Sequence, residues 1–331
     1  MKVCFIMPCY NAAKWLEESL ESLRKQTEGD FEVMVVDDGS SDDSCAIVER
    51  FATKDPRIRL ERLPENSGGC YLPRKHGITL TEAEWIAPLD ADDIVDADYL
   101  ERLLLRAKET GADIVYPTMY TYDGITSTPT ITAGDFDTEA IHKGRDIVKD
   151  TLGRWKFGAG GGILRRELYM NCYDRYDSSI HYNFADETLT RQLLYEAKRV
   201  AFSPTPYYYR INPESTSRQW NARIFELLRS QRDVADFVRE HYADDSETTE
   251  EAEKWVFHGF FDAIRLLAEI RHAGCETPEI RRTAIRELSE SRNRIDHRLL
   301  RGKVSGRYRM LERLGVRTNL ILLPLLDRLM K

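Results

Sequence analysis

Along the first 120 residues the apolar positions alternate between two spacings. The runs "KVCFIMP", "FEVMVVDD", "EWIAPLDADD" and "DIVYPTMY" are short, apolar and rich in β-formers, and predict strands; "IRLERL" predicts a weaker one. Between them, apolar residues recur every three or four positions. In "AAKWLEESLESLRKQ", Trp15, Leu16, Leu20 and Leu23 mark one helical face, with Asn11 placed to cap it. "SDDSCAIVERFATK" predicts a helix started by Ser40 to Asp43. "LPRKHGITLTEA" predicts another, with Gly77 at a packing or bend position, and "DADYLERLLLRAKETG" one closed by Gly111. "FEVMVVDD" is apolar on both faces, as an interior parallel strand is. Strands alternating with helices predict an α/β fold on a mainly parallel sheet with right-handed crossovers.

In such sheets ligands sit beyond the carboxyl ends of the strands. Three of those ends carry unusual chemistry: "PCYN", "DDGS" and "DADD". Delivered to one edge, they make an acidic cleft. No G-x-G-x-x-G follows the first strand and no G-x-x-x-x-G-K-[ST] occurs; "NSGGC" and "GAGGG" have neither frame. On an extended strand end Asp90 and Asp92 point the same way. Two such carboxylates repel unless a cation lies between them, and magnesium or manganese suits all-oxygen ligands. The competing reading has Asp92 or Asp93 capping the helix that begins at Ala97.

Charge and composition then narrow the classes. The chain has 331 residues, enough for one large domain or two modest ones. Its net charge of −8 disfavours a nucleic-acid partner. From Arg292 onward there are 11 Lys or Arg against 3 Asp or Glu, a balance of +8, which leaves −16 on the rest. The six cysteines are scattered with no C-x-x-C, so reduced, mostly buried thiols are expected rather than zinc or disulfides. No stretch is apolar and long enough to span a bilayer, and the N-terminal run is too short for a signal-peptide core, which predicts a cytoplasmic protein. From Asn221 the pattern is helical. The final "RTNLILLPLLDRLMK" has two readings: a helix packed on the body or on a dimer mate, or a peripheral contact with the anionic inner face of a membrane.

"FIMPCYNAAKWLEESLESLRKQT", "FEVMVVDDGSSDDS", "NSGG" and "WIAPLDADDIVDADYLE" stand in this order over roughly the first hundred residues. Together they resemble the inverting family 2 glycosyltransferases of GT-A fold. The resemblance implies a GT-A domain over 1–220, with a nucleotide-sugar half (1–118) and an acceptor half (119–220), followed by a helical region over 221–331. It implies a nucleotide-sugar donor, commonly a uridine diphosphate sugar, a Mn2+ or Mg2+ cofactor, and a glycan or lipid-linked glycan acceptor.

The family's roles carry over position by position. Pro8, Tyr10 and Asp38 match the base-holding positions, with Asn11 beside them and Asp37 as helper. A carboxylate can accept a uracil imide N–H, and Tyr10 offers a stacking face; ordinary packing is the alternative for that ring. In the glycine loop, Gly68 and Arg74 match donor-contacting positions, Arg74 toward nucleotide or diphosphate. Asp92 matches the metal ligand, Asp90 the position near the ribose or the metal's waters, Ala91 lies between them, and Asp93 is a cap or supporting residue. Gly160 to Gly162 would let backbone approach the donor sugar. Asp186-Glu187 looks like the family's Glu-Asp motif in reversed order, so either is the candidate base. Arg210, with Ser215 to Ser217, would close over the diphosphate. "SRQW" is the nearest string to the Q-x-x-R-W of processive synthases, which disfavours a processive enzyme. Rival readings are a nucleotidyltransferase, a catalytically silent nucleotide-sugar binder and a nucleic-acid binder using the basic tail.

Overall fold

A computed structural model of the chain describes residues 2–130, 136–153, 155–157, 161–176, 184–212, 215, 219–305 and 318. Strand β1 (Val3–Cys9) leads through helix α1 (Ala13–Arg24) to β2 (Phe31–Asp37). Then come α2 (Ser44–Ala52), β3 (Ile58–Arg62), α3 (Tyr71–Leu80), β4 (Trp85–Pro88), the two-residue β5 (Ile94–Val95) and α4 (Tyr99–Thr110). Next are β6 (Ile114–Tyr122), β7 (Ser127–Pro129), the single turn α5 (Gly144–Ile147), β8 (Ile163–Arg165) and α6 (Arg166–Tyr176). Helix α7 (Ala185–Glu196) and β9 (Val200–Arg210) follow.

The sheet order is β3-β2-β1-β4-β8-β6-β9-β5, with β7 hydrogen-bonded to β6. Strands β3, β2, β1 and β4 are parallel, and so are β6 and β9; β8 is antiparallel between β4 and β6, and β5 antiparallel on β9. The mainly parallel sheet is as expected. "SPTPYYYR", not marked as a strand from its pattern, becomes most of β9. Its prolines disguise it, and the register against β6 shifts between Tyr116 and Thr118 to accommodate them.

Every residue of β2 is buried. Phe5, Met7, Val33 and Val35 share one core with Leu16, Leu20 and Leu23 of α1 and with Tyr99 and Leu103 of α4. On the opposite face α3 lies against the sheet at Gly77, where an added Cβ would stand 3.0 Å from Val36 Cγ2 and 3.2 Å from Ile6 Cγ2. Gly77 is therefore a close-packing position, and Gly111 closes α4 with φ +62°.

One capping expectation is corrected and a second holds only in part. Asn11 does not cap α1: it adopts φ +48°, and its Oδ1 accepts the Ser41 N–H at 2.8 Å. Of Ser40 to Asp43, Asp42 does serve the next helix, its Oδ1 accepting the Ser44 N–H at 3.0 Å, while the N-cap position, Asp43, makes no side-chain cap bond. Ser40, Asp42 and Ser44 also reach back to the start of α1. Ser40 Oγ accepts the Asn11 N–H, Ser44 Oγ the Ala12 N–H, and Asp42 Oδ2 the Ala13 N–H, at 2.9, 2.9 and 3.0 Å. Burial opposes ionisation of Asp42, but the bonds from Ser44 and Ala13 win and hold its carboxyl below the usual range. Capping across the sheet edge was invisible in the sequence because the partners are about 30 residues apart.

The chain forms two compact units, Met1–His181 with Leu189–Asn212, and Tyr182–Thr188 with Pro213–Lys331. The described part of the second contains α8 (Leu227–His241), α9 (Ser246–His272) and α10 (Pro278–Arg294). Thr277 caps α10 by accepting the Ile280 N–H at 3.2 Å. Inside this unit Arg232 is buried and donates to Glu287 Oε2 at 2.7 Å, Ser291 Oγ at 2.8 Å and Glu290 Oε2 at 2.8 Å. Removing Arg232 leaves the buried Glu287 carboxylate to the exposed Arg286, which donates to its Oε1 at 2.9 Å. Arg232→Ala is expected to cost about 3–5 kcal/mol, read as a lower midpoint in urea unfolding. A midpoint within experimental error of the parent would show that Arg286 by itself satisfies Glu287. No helix among the described residues is long and apolar enough to cross a membrane. From residue 306 the basic tail, apart from residue 318, lies outside the described residues.

Candidate active site

The register brings the strand ends together. Cys9 is paired with Asp37, Ile6 with Pro88, and β1 lies between β2 and β4. "PCYN", "DDGS" and "DADD" therefore leave the same edge of the sheet from three adjacent strands. Pro8 lies within β1, and Tyr10 projects just past it with half its surface exposed. That exposure is what a stacking face requires.

Asp38 does not point freely outward. It is buried, and its N–H bonds the Cys9 carbonyl at 2.8 Å. Its carboxylate accepts the Ser67 N–H at 2.8 Å, the Ser67 hydroxyl at 3.0 Å and the Asn66 amide at 3.2 Å. Burial pushes its pKa up, the Ser67 bonds pull it back, and the neighbouring Asp37 charge adds to the rise. Asp38 thus organises the "NSGG" loop as much as it can read a base. Asp37 is also buried and accepts the Ser40 N–H at 3.2 Å. Gly39 is required here: φ is +80°, and an added Cβ would meet Asn66 N at 3.0 Å. Gly68 follows at φ +95°.

The "DADD" segment is not an extended strand end. Strand β4 stops at Pro88, and Asp93 N–H bonds the Asp90 carbonyl at 3.1 Å, so residues 90–93 form a turn. The period-two argument for Asp90 and Asp92 fails, although their charges still act on each other. Neither Asp92 nor Asp93 caps α4, whose N-cap position is Asp98. Asp93 instead is fully buried and anchors the turn: its carboxylate accepts the Tyr207 hydroxyl at 2.6 Å and the Arg210 N–H at 2.8 Å, and its carbonyl accepts Ser19 Oγ at 2.6 Å. Burial, then the charges of Asp90 and Asp92, drive its pKa well up.

Arg74, in the first turn of α3, donates to Asp90 Oδ1 at 3.1 Å. Two motifs about 16 residues apart thus meet at one carboxylate. Asp92 Oδ2 accepts the Asn212 amide at 2.8 Å. Its pKa is raised, first by burial and then by the Asp90 charge, with Asn212 and Arg210 opposing. Two carboxylates under this mutual repulsion, each with a second oxygen left over from these bonds, fit a hard divalent cation. No group of three His, Cys, Asp or Glu suited to a metal occurs among the described residues. Asp92 and Asp90 would then be the protein's ligands, with water and substrate oxygens completing the shell.

Arg210 departs from its expected role. It ends β9, its side chain is 3% exposed, and it faces into the protein. Nε donates to the Asp92 carbonyl at 2.7 Å and a terminal nitrogen to Glu18 Oε2 at 2.6 Å. The guanidinium lies 4.8 Å from the Trp15 ring centre and 4.9 Å from that of Tyr122. An arginine so enclosed braces the turn and is not presented to a diphosphate. Ser215 is a described residue of the second unit, accepting the Gln219 N–H through its carbonyl at 3.2 Å; Ser217, Thr216 and Gly160 lie outside the described residues. Gly161 and Gly162 pack on the protein itself: an added Cβ would stand 2.4 Å from the Tyr207 ring and 2.4 Å from the Val115 carbonyl, respectively. Ala91 is buried in the turn. Asp186 and Glu187 are half-buried in the first turn of α7, where the helix dipole favours carboxylates. Burial pushes the Cys9 thiol up to about 12, which removes it as a nucleophile at this edge.

Asn66, Ser67, Tyr207, Asn212 and Glu18 were not singled out as functional in the sequence. "NSGG" was visible as a motif, but nothing local marks Glu18 or Asn212, which meet the turn only through the fold.

Residues 4–171 match the family described as Glycosyl transferase family 2. GlyG, a glycosyltransferase of Streptococcus pneumoniae, is 31% identical over 68% of this chain and 78% of its own length. The chain belongs to glycosyltransferase family 2. The transferase is also similar to EpsJ of Bacillus subtilis, an uncharacterized glycosyltransferase, at 29% identity over 72% of this chain and 70% of that one. Among solved structures, TarS 1–349 of S. aureus with UDP-GlcNAc superposes with a TM-score of 0.71 at 20% identity, covering 97% of this chain and 88% of that one. That likeness establishes the GT-A fold of the transferase.

Proposed function

We propose that the transferase moves a sugar from a uridine diphosphate sugar to a hydroxyl of a glycan or lipid-linked glycan in surface polysaccharide synthesis, inverting the anomeric centre. The observation that carries this reading is the meeting of Tyr10, the Asp38 loop, Arg74 and the Asp90–Asp92 pair at one sheet edge. The solved TarS complexes hold UDP and UDP-GlcNAc, which supports the choice of donor. TarS is named a poly(ribitol-phosphate) β-N-acetylglucosaminyltransferase, which supports a surface-glycan acceptor.

Tyr10 stacks on the base, and the Asp38 carboxylate, which holds the Ser67 loop, borders the same position. Arg74, already at Asp90, turns its guanidinium to the diphosphate. Asp92 and Asp90 hold Mn2+ or Mg2+, and the ion when bound supplies positive charge against the departing nucleoside diphosphate. Glu187 or Asp186 accepts the proton of the attacking hydroxyl.

Thermal unfolding with UDP, with and without Mn2+, tests the reading. At a ligand concentration about 100 times Kd, UDP with Mn2+ should add about 2.7 kcal/mol of stability, and markedly less with EDTA. Absence of metal-dependent stabilisation by UDP and by other nucleoside diphosphates would overturn it.

A further inference from the structure

We propose that Arg210 and Asn212, at and just beyond the end of β9, are positioning residues that aim Asp92 at the cation. The inference rests on the assignment of Asp92 as a metal ligand, and concerns residues that touch neither the donor nor the ion.

The turn carrying Asp92 lies beyond the end of β4 and is not held by strand pairing. Its fixed points come mostly from one short stretch of chain. Tyr207 donates its hydroxyl to Asp93 at 2.6 Å, the Arg210 N–H reaches the other Asp93 oxygen at 2.8 Å, Arg210 Nε holds the Asp92 carbonyl at 2.7 Å, and the Asn212 amide holds Asp92 Oδ2 at 2.8 Å. These four bonds constrain the Asp93 side chain, the Asp92 carbonyl and one oxygen of the Asp92 carboxylate. The rotation left to that carboxylate is small, so Oδ1 is presented in one direction. The donor is neutral, so it restrains the carboxylate without cancelling the charge a cation needs, as an arginine or lysine there would.

Arg210 is itself fixed. Trp15 and Tyr122 enclose its guanidinium, and Glu18 of α1 accepts from it at 2.6 Å. Its charge is paired with Glu18, and it gives Asp92 a hydrogen bond to the backbone together with some electrostatic stabilisation. Metal sites depend on such supports, whose loss weakens metal binding about 10–100-fold.

The test uses the whole chain and measures Mn2+ binding directly, by electron paramagnetic resonance titration of free Mn2+ with and without UDP. Asn212→Leu, similar in size with no donor, and Asn212→Ala should each weaken Mn2+ binding about 10-fold or more, with melting temperature and metal-free UDP affinity near those of the parent. Arg210→Lys keeps the charge but cannot bridge Glu18 and the Asp92 carbonyl, and should weaken Mn2+ binding likewise. Mn2+ affinities within about two-fold of the parent in both Asn212 variants would overturn the proposal while leaving the metal assignment intact. Failure of the parent itself to bind Mn2+ would instead overturn the assignment on which the proposal rests.

Discussion

Asp92→Asn should lose transfer activity by at least about 10²-fold, the scale of a lost transition-state charge contact, and should melt at a higher temperature than the parent in the absence of ligand. The first half follows from its place as the proposed metal ligand. The second follows from electrostatics of the empty turn. Burial and the Asp90 charge raise the Asp92 pKa above the usual 3.8, so the folded protein binds this proton more tightly than the unfolded chain does. The ionised carboxylate therefore destabilises the fold at all pH values above the raised pKa, and that penalty fades as the pH falls through it toward 3.8. Asparagine carries no charge and its side-chain oxygen can still accept from Asn212. The difference in melting temperature should be largest near neutral pH and narrow on acidification. Mn2+ affinity of the parent should fall over the same acidic range, because proton and cation compete for one carboxylate. A variant that is inactive and less stable than the parent at neutral pH would show that Asp92 has a structural role its burial and partners do not account for.

The second large effect concerns the base. Either Glu187→Gln or Asp186→Asn is expected to lower turnover about 10²–10⁴-fold with UDP affinity unchanged. The two stand in the first turn of α7, and the reversed order of the acids leaves the choice to experiment. Single-turnover transfer beside a calorimetric UDP titration separates the cases. The variant that loses turnover and keeps UDP binding identifies the base. Full transfer activity in both would place the base elsewhere.

Much of the fold was legible because it rests on short-range regularity. The helical spacing of Leu16, Leu20 and Leu23, the two-sided apolar run of β2 and the glycine at 111 each report a local constraint, and all three hold. β9 was not legible, because Pro204 and Pro206 break the local signal and pairing with β6 and β5 makes the strand. The acidic strand ends were legible as chemistry, but the work of each acid was not. Asp37, Asp38, Asp90, Asp92 and Asp93 look alike in the sequence. They differ in what the fold brings to them: a backbone N–H for Asp37, the 66–67 loop for Asp38, Arg74 for Asp90, Asn212 for Asp92, and Tyr207 with Arg210 for Asp93.

The same distinction governs Arg210. A basic residue following a run of tyrosines near a serine-rich segment looks ready for a phosphate. Tertiary packing seals it between Trp15 and Tyr122 and pairs it with Glu18, about 190 residues earlier in the chain. The sequence alone determined the α/β class, the family and the set of acids at the sheet edge, because periodicity and motif order are properties of neighbouring residues. Only the tertiary structure decided which acid is presented and which is buried as an anchor, because desolvation and hydrogen-bond partners come from segments distant in the chain.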